Sequence, residues 1–466
     1  MTELHELGLG ALADALRAGE IAPREAVAHF LDRISRLNGT LGAFVHVSAD
    51  AAVARAAELG PPPERAPALW GVPLADKDLT ARAGMPTRYG SRAFADHVPD
   101  RSDPMAEALD AAGAISLGKT STPEFGLTGY TETRIGPPAR DPWDPANGAG
   151  GSSGGAAVAV AAGMLPAAPA SDGGGSIRIP AATVGVVGLK PSRGRIPAGA
   201  GLDSPGGLAV AGPIARTAAD AALLLDALST GVYPYATRAP GHGPFAGAAH
   251  ADPGALRIGV TAVSPWDDAL DIRLDPEARA ALDHATHVLD RGGHVAEDLA
   301  WRPHGYAEMF MTLWRASAAR IPVADDRLGV VEPVTAWLVR EGRALPAASL
   351  LAAQSAAAAF ERRTVEAFAP FDAVLTPALA LPPQPIGWFA PDDPEQSFAR
   401  QCQYAPYSSF VNVAGLPAIT VPVTRARDGH PVSVQLIGRP GGEAAIVALA
   451  AQLERARGPL PRPSID

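Results

Sequence analysis

Cysteine is almost absent from this sequence: Cys402 is the single one in 466 residues, which excludes an internal disulfide framework and any cluster of thiolate metal ligands. A lone cysteine of this kind reads as a small buried hydrophobe. Lysine is nearly as scarce. Lys77, Lys119 and Lys190 are the only three, and every other one of the 39 basic residues is arginine. Where almost every positive charge is written as Arg, a surviving Lys is a candidate for chemistry that Arg cannot do, because only Lys readily gives up its proton. Long apolar runs are missing too: the longest candidate, 156–170, is interrupted by Gly163 and Pro166. The first ten residues, MTELHELGLG, lack the basic-then-apolar pattern of a secretory leader, so the expectation is a cytoplasmic chain without a membrane span. A basic excess is also lacking, and the net charge of -10 argues against a nucleic-acid partner. With 47% hydrophobic and 19% charged residues the chain is expected to be globular rather than disordered.

What is present alternates between helical and strand-like periodicity, which points to an α/β fold. Residues 1–60 read as a helical N-terminal flank: a helix near Leu9 to Arg17, another opened by Pro23, the short β-like AFVHV, and an Ala-rich helix from about Asp50. Two polar, glycine-rich loops follow, at 142–155 and from Ser171, and the apolar stretch from Ala156 to Met164 between them reads as a buried helix. Residues 229–254 read as a surface-loop insertion. Beyond them LRIGVTA, FDAVLTP, PAITVPV and DGHPVSVQLIG read as strands, and 276–291 and 346–369 as helices. No fixed-period repeat is visible, and the expectation is one large domain over 1–466.

Three short motifs invite chemistry. GAISLGKT, 113–120, has the spacing of a phosphate-cradling loop, but such a loop needs a strand before the first glycine and a helix at the lysine. Here a helical pattern precedes Gly113 and an apolar strand lies between the two glycines, so the match is fortuitous and Lys119 is expected to be structural. GGSSGG, 150–155, holds G-x-S-x-G twice, with Ser152 or Ser153 in the serine position, yet a nucleophile elbow also needs an acid and a histidine downstream. His284 and His287 sit on a polar helical pattern and His430 in a turn, and a metal set of His284, His287 and Asp290 matches no established zinc motif.

A different constellation uses the unusual features together: Lys77 in GVPLADKD, Ser152 in GGSSGG, and Ser176 directly after three glycines in SDGGGSIRIP. These segments closely resemble the amidase signature family. The likeness extends over nearly the whole chain through SLGKTSTPEFGL, GLKPSRGRIP, GPIARTAADAALLLDAL, FDAVLTPALALPPQPIG and AGLPAITVPV. It implies a single domain built on a mixed twisted sheet between helical layers, and a hydrolase of C–N bonds that uses no metal or cofactor. By the resemblance Ser176 is the nucleophile, Ser152, after a cis peptide bond from Gly151, passes protons, and Lys77 is the base. For Lys77 to accept a proton it must be neutral, which burial favours. The backbone N–H groups of Gly173, Gly174, Gly175 and Ser176 would receive the oxyanion. Ser153 resembles the family serine that bonds the lysine, while Asp172 and Arg178 match flanking positions that hold the loop.

The expected substrates are small amides, anilides, carbamates (urethanes) or esters, and the expected assembly is a monomer or a homodimer. Tyr130, in FGLTGYTETRIG before the first glycine-rich loop, is a candidate pocket wall or an ordinary packing residue. The sequence departs from the family's usual pattern at Gly173, where a larger residue is common, at Gly148-Ala149, where proline is common, and at Ala156, often serine. None touches the proton path. Two alternatives stand beside this reading. One is the A subunit of a tRNA-dependent amidotransferase, which needs an acidic and a basic residue to grip glutamine; YSSFVNVAGLPA supplies neither. The other is a non-catalytic scaffold on the same fold.

Overall fold

The computed structural model describes residues 3–196, 205–229, 239, 241 and 243–465. Three strands, β1 (Phe44–Val47), β2 (Pro73–Lys77) and β3 (Ile115–Thr120), form a small sheet in the order β1-β3-β2; β3 is antiparallel to β1 and parallel to β2. Eight more form the large sheet: β4 (Ala167–Asp172), β5 (Val187–Lys190), β6 (Val210–Ala215), β7 (Arg257–Val260), β8 (Val295–Asp298), β9 (Ala373–Pro377), β10 (Ala418–Arg425) and β11 (Pro431–Gly438). Their order is β4-β6-β5-β10-β11-β9-β7-β8. Strand β7 runs parallel to β8 and β9, and the other neighbours are antiparallel.

The mixed sheets are flanked by helices, as the resemblance implies. Helices Pro276–Arg291 and Glu443–Arg457 pack on the central strands β10 and β11, and Ala218–Leu228 packs on β4, β5 and β6. The central strands are legible as near-continuous apolar runs because both of their faces are covered; Ala418 to Val423 of β10 are all buried. The N-terminal flank is part of the main core, where Leu9, Leu12 and Leu16 join the cluster that contains Leu224, Leu225 and Leu228.

Several elements differ from the periodicity reading. The strand expected at 114–117 runs over Ile115–Thr120, so Lys119 lies inside a strand and donates to the Thr80 carbonyl, which leaves no phosphate cradle. The small sheet is separate from the large one. Helices Tyr306–Ala318, Pro333–Arg343 and Pro394–Tyr404 lie in stretches to which the reading assigned no element. Of the insertion expected at 229–254, positions 230–238, 240 and 242 lie outside the described residues. The turn Ala246–His250 is not loose: Phe245 and Ala249 are buried, and the turn packs on helices Ala218–Leu228 and Glu443–Arg457. Among the described residues, no helix is long and apolar enough to cross a membrane.

For the site, the decisive packing is that of β2 against β4, the edge strand of the large sheet. Helix Gly154–Ala161 packs on β4 and is buried on every side. Gly155 lets the same helix lie against the ends of the small sheet, since a Cβ there would lie 2.3 Å from the Ser121 nitrogen and 2.4 Å from the Ala43 carbonyl oxygen. Gly155→Ala should therefore destabilise the fold by about 1–3 kcal/mol, the usual effect of overpacking. A lower urea midpoint for the variant is the expected result, and an unchanged midpoint would show that the helix is not held against Ser121.

Candidate active site

Three segments distant in sequence converge where β2 meets β4. Lys77 ends β2 and is 1% exposed. Its Nζ donates to Ser152 Oγ at 2.8 Å and to Ser171 Oγ at 3.1 Å. Ser152 follows Gly151 through a cis peptide bond, in the loop that enters helix Gly154–Ala161. Ser176 follows β4 by four residues, and its carbonyl accepts the Ser153 N–H at 3.1 Å, which ties the two serine-bearing loops together. Ser152, Ser171, Gly173 and Ser176 border one cavity of about 400 Å³.

Strand alternation explains how β4 serves both the lysine and the loop. The Ser171 hydroxyl turns toward Lys77, and the next side chain, Asp172, turns the other way into a buried polar network. Its carboxylate accepts from Arg178 Nε and Nη2 at 3.0 and 2.9 Å, from the Gly175 N–H at 2.7 Å and from the Ile177 N–H at 3.1 Å. Arg178 continues to Asn412 Oδ1 (2.6 Å), Gln435 Oε1 (2.8 Å) and the Ser408 carbonyl (2.9 Å), and Asn412 Nδ2 returns to the Asp172 carboxylate and carbonyl, both at 2.9 Å.

Burial opposes the Asp172 charge, but the Arg178 guanidinium outweighs it and holds the carboxyl well below the ordinary range. For Lys77 the balance falls the other way. Desolvation pushes its amine down to about 7, against a smaller upward pull from Asp172, so a large neutral fraction exists at neutral pH.

The structure revises three residue assignments. Gly175 is not an oxyanion donor, because its N–H points into the Asp172 carboxylate. Its φ of +129° sets that direction, and a Cβ there would meet Ser408 Oγ at 2.3 Å, so only glycine fits. The N–H groups of Gly173, Gly174 and Ser176 have no partner among the described residues. Ser153 does not bond the lysine: its hydroxyl donates to the Ser171 carbonyl at 3.3 Å, because the chain turns into the helix there, and Ser171 supplies the second hydroxyl on Lys77. Tyr130 is a packing residue. It is buried, bonded to Ser397 Oγ at 3.1 Å and stacked on Phe389 at 4.7 Å, and its backbone supports Gly151. The same segment does reach the cavity, through Phe125, Gly126 and Leu127.

Other candidates fall outside this arrangement. The His430 ring bonds Asp141 Oδ2 at 2.8 Å and the Pro431 carbonyl. Burial opposes its charge, and the Asp141 carboxylate raises its pKa nonetheless. Cys402 is buried, which pushes its thiol far up and leaves it unreactive. His284, His287 and Asp290 are exposed on one helix. Among the described residues the metal-type side chains that gather within reach of one ion are Glu3, His5 and His29, and the positive charges of Arg33 and Arg462 act on His5 there. Ser171, Ser408, Asn412 and Gln435 were missed by sequence reasoning. Ser171 could have been found from strand alternation next to Asp172; the other three have no local signal.

Comparison with known proteins identifies the family. The pattern of the family described as Amidase matches residues 25–447. The chain is 32% identical to an acylamidase of Rhodococcus erythropolis over 98% of this chain and 97% of that protein. It is 34% identical to the A subunit of the glutamyl-tRNA(Gln) amidotransferase of Nitratidesulfovibrio vulgaris over 100% of this chain and 99% of that one. Among solved structures, a 6-aminohexanoate cyclic dimer hydrolase superposes with a TM-score of 0.91 at 29% identity, covering 99% of each chain. A family match over most of the chain, joined to relatives of this identity along its full length, establishes that this protein belongs to the amidase signature family.

Proposed function

We propose that this amidohydrolase cleaves the C–N bond of amides through an acyl-enzyme on Ser176, with Ser152 and Lys77 as its proton relay. The observation that carries the reading is the buried Lys77 amine, at about 7, hydrogen-bonded to Ser152. A serine hydroxyl is a weak nucleophile until a base takes its proton, and a neutral lysine can do so where an arginine cannot. Ser176 Oγ bonds to the carbonyl carbon while its proton passes through Ser152 to Lys77. Negative charge gathers on the carbonyl oxygen, and the N–H groups of Gly173, Gly174 and Ser176, which have no partner among the described residues, are the donors for it. The C–N bond breaks as the leaving nitrogen takes the proton back through Ser152. Water, deprotonated along the same path, then releases the acid. Carbamates fit the same steps, with an alcohol and carbon dioxide released besides the amine.

The amidotransferase reading, which one relative's name raises, requires a grip on free glutamine. The cavity carries Asp103 and Arg320, so charged groups of both signs exist there, but the Asp103 carboxylate already accepts the Ala81 N–H at 2.8 Å and aromatic rings make up much of the wall. The stand-alone amidase is favoured. A scaffold without activity is disfavoured by the meeting of Lys77 with two hydroxyls, those of Ser152 and Ser171, beside the cavity that Ser176 borders.

Two experiments test the reading. Ser176→Ala should retain the fold, shown by an unchanged circular dichroism spectrum, and lose at least about 10³ in turnover, the scale seen when a nucleophile is removed. A slow ester substrate should leave an adduct on the peptide containing Ser176; an adduct on Ser152 or Cys402 would overturn the assignment. The second concerns pH. Lys77 must be neutral to act, so kcat/KM should rise with pH through about 7 and level off on the basic side. Lys77→Arg keeps the charge but holds its proton, and should be nearly as inactive as Lys77→Ala at the plateau. Retention of a tenth or more of the rate, about 1.4 kcal/mol of barrier, would remove Lys77 from the proton path.

A further inference from the structure

Ser176 stands between two hollows of unequal size. The larger, about 400 Å³, has Tyr89, Phe94 and Phe125 in its wall; the smaller, about 60 Å³, lies among Trp266, Phe310 and Phe398, and Trp314 borders both. Both hydroxyls bonded to Lys77, those of Ser152 and Ser171, border the larger hollow and neither borders the smaller. In amide cleavage the leaving nitrogen must collect a proton as its bond to carbon breaks, so the amine lies on the side of the group that delivers it. That is the larger hollow. The acyl remainder, attached to the same carbon, is directed to the smaller one.

The wall of the larger hollow is built with unusual backbone. Tyr89 and Phe125 hold φ of +54° and +52°, a left-handed conformation that is costly for bulky residues and gathers where a site demands it. The Phe125 N–H donates to the Tyr89 carbonyl at 2.7 Å, which locks the two turns together. Their rings lie 6.4 Å apart at 18°, and Phe94 meets both edge-on at 5.4 and 5.8 Å. Offset and edge-to-face packing of this kind accepts a further ring.

We propose that the substrate is an N-aryl amide of a short carboxylic acid, with its arylamine against Tyr89, Phe125 and Trp314 and its acyl methyl or ethyl group in the smaller hollow. This rests on the amidase reading above. Ser176 Oγ bonds to the acyl carbon, its proton reaches Lys77 through Ser152, the C–N bond breaks, and the arylamine leaves carrying that proton. Water then frees the short acid. Asp103 and Arg320 also border the larger hollow, which makes glutamine the competitor to include.

The test uses the full chain and two substrate series. Anilides with acyl groups from acetyl to octanoyl vary one side; acetamides of ammonia, benzylamine and aniline vary the other, and glutamine is run alongside. Acetyl or propionyl anilide should exceed octanoyl anilide in kcat/KM by at least about tenfold, since a hollow of about 60 Å³ holds one or two carbons of the acyl group and not eight. Phe125→Gly removes the ring and suits the left-handed backbone. It should lower the ratio of acetanilide to acetamide turnover by about tenfold while leaving the acyl profile in place, and intrinsic leaving-group reactivity cancels in that comparison. Phe398→Ala should shift the acyl optimum to longer chains and leave the amine ratio alone. Preference for long acyl chains, glutamine turnover above that of the anilides, or a Phe125→Gly ratio equal to wild type would each overturn the proposal. A fluorophosphonate probe separates the two levels: a chain labelled at Ser176 with reversed selectivity refutes this inference alone, and a chain that is neither labelled nor active refutes the amidase reading with it.

Discussion

The buried ion pair between Asp172 and Arg178 organises everything around it. Asp172 ends the edge strand β4, and its two carboxylate oxygens take the Arg178 guanidinium and the N–H groups of Gly175 and Ile177. The glycine loop is thereby wrapped around a single carboxylate. A buried pair of this sort is weak evidence for stability, because desolvating two charges offsets much of their attraction. What it supplies is position. Arg178 extends the grip to Asn412, Gln435 and Ser408, so one guanidinium joins β4, the helix Arg178–Val184, the segment before β10 and the strand β11. With Gly175 turned inward, the N–H groups of Gly173, Gly174 and Ser176 are without a partner among the described residues.

Lys77 sits on the other side of the same strand and has the opposite electrostatic outcome. Asp172 meets a guanidinium at hydrogen-bonding distance and stays ionised, whereas Lys77 meets two neutral hydroxyls and burial brings its amine down to about 7. Because Arg178 engages the carboxylate directly, Asp172 does not rescue the lysine charge. All three lysines of the chain are buried. Lys119 and Lys190 each donate to a backbone carbonyl, of Thr80 and Pro191, and both are pushed down by desolvation.

Much of this is legible in the sequence. Helix Pro276–Arg291 agrees with its periodicity reading at both ends, and Pro23 marks the start of a helix as its fixed φ and missing N–H require. The strands β9, β10 and β11 were visible as apolar runs. The short strands β4 and β6 were not, since glycine, proline and serine give them no apolar pattern and neighbouring strands alone hold them extended. Helix Pro394–Tyr404 begins with a polar turn that reads as loop until its buried side, Ser397, Cys402 and Tyr404, is known.

The sequence by itself determined the α/β class and the family likeness, and that likeness singled out Lys77, Ser152 and Ser176, which stand in short local motifs. It also identified FGLTGYTETRIG as a contributor to the pocket. Tertiary structure alone decided which residue of that segment reaches the cavity: Phe125 does, and Tyr130 turns into a packed cluster with Phe389. It decided as well that Ser171 rather than Ser153 completes the lysine's partners, and that Gly175 gives its N–H to Asp172. The reason is the same in each case. A motif fixes which groups are present, but the direction of a hydroxyl or an N–H depends on strands and loops brought together from opposite ends of the chain, and no local pattern records that meeting.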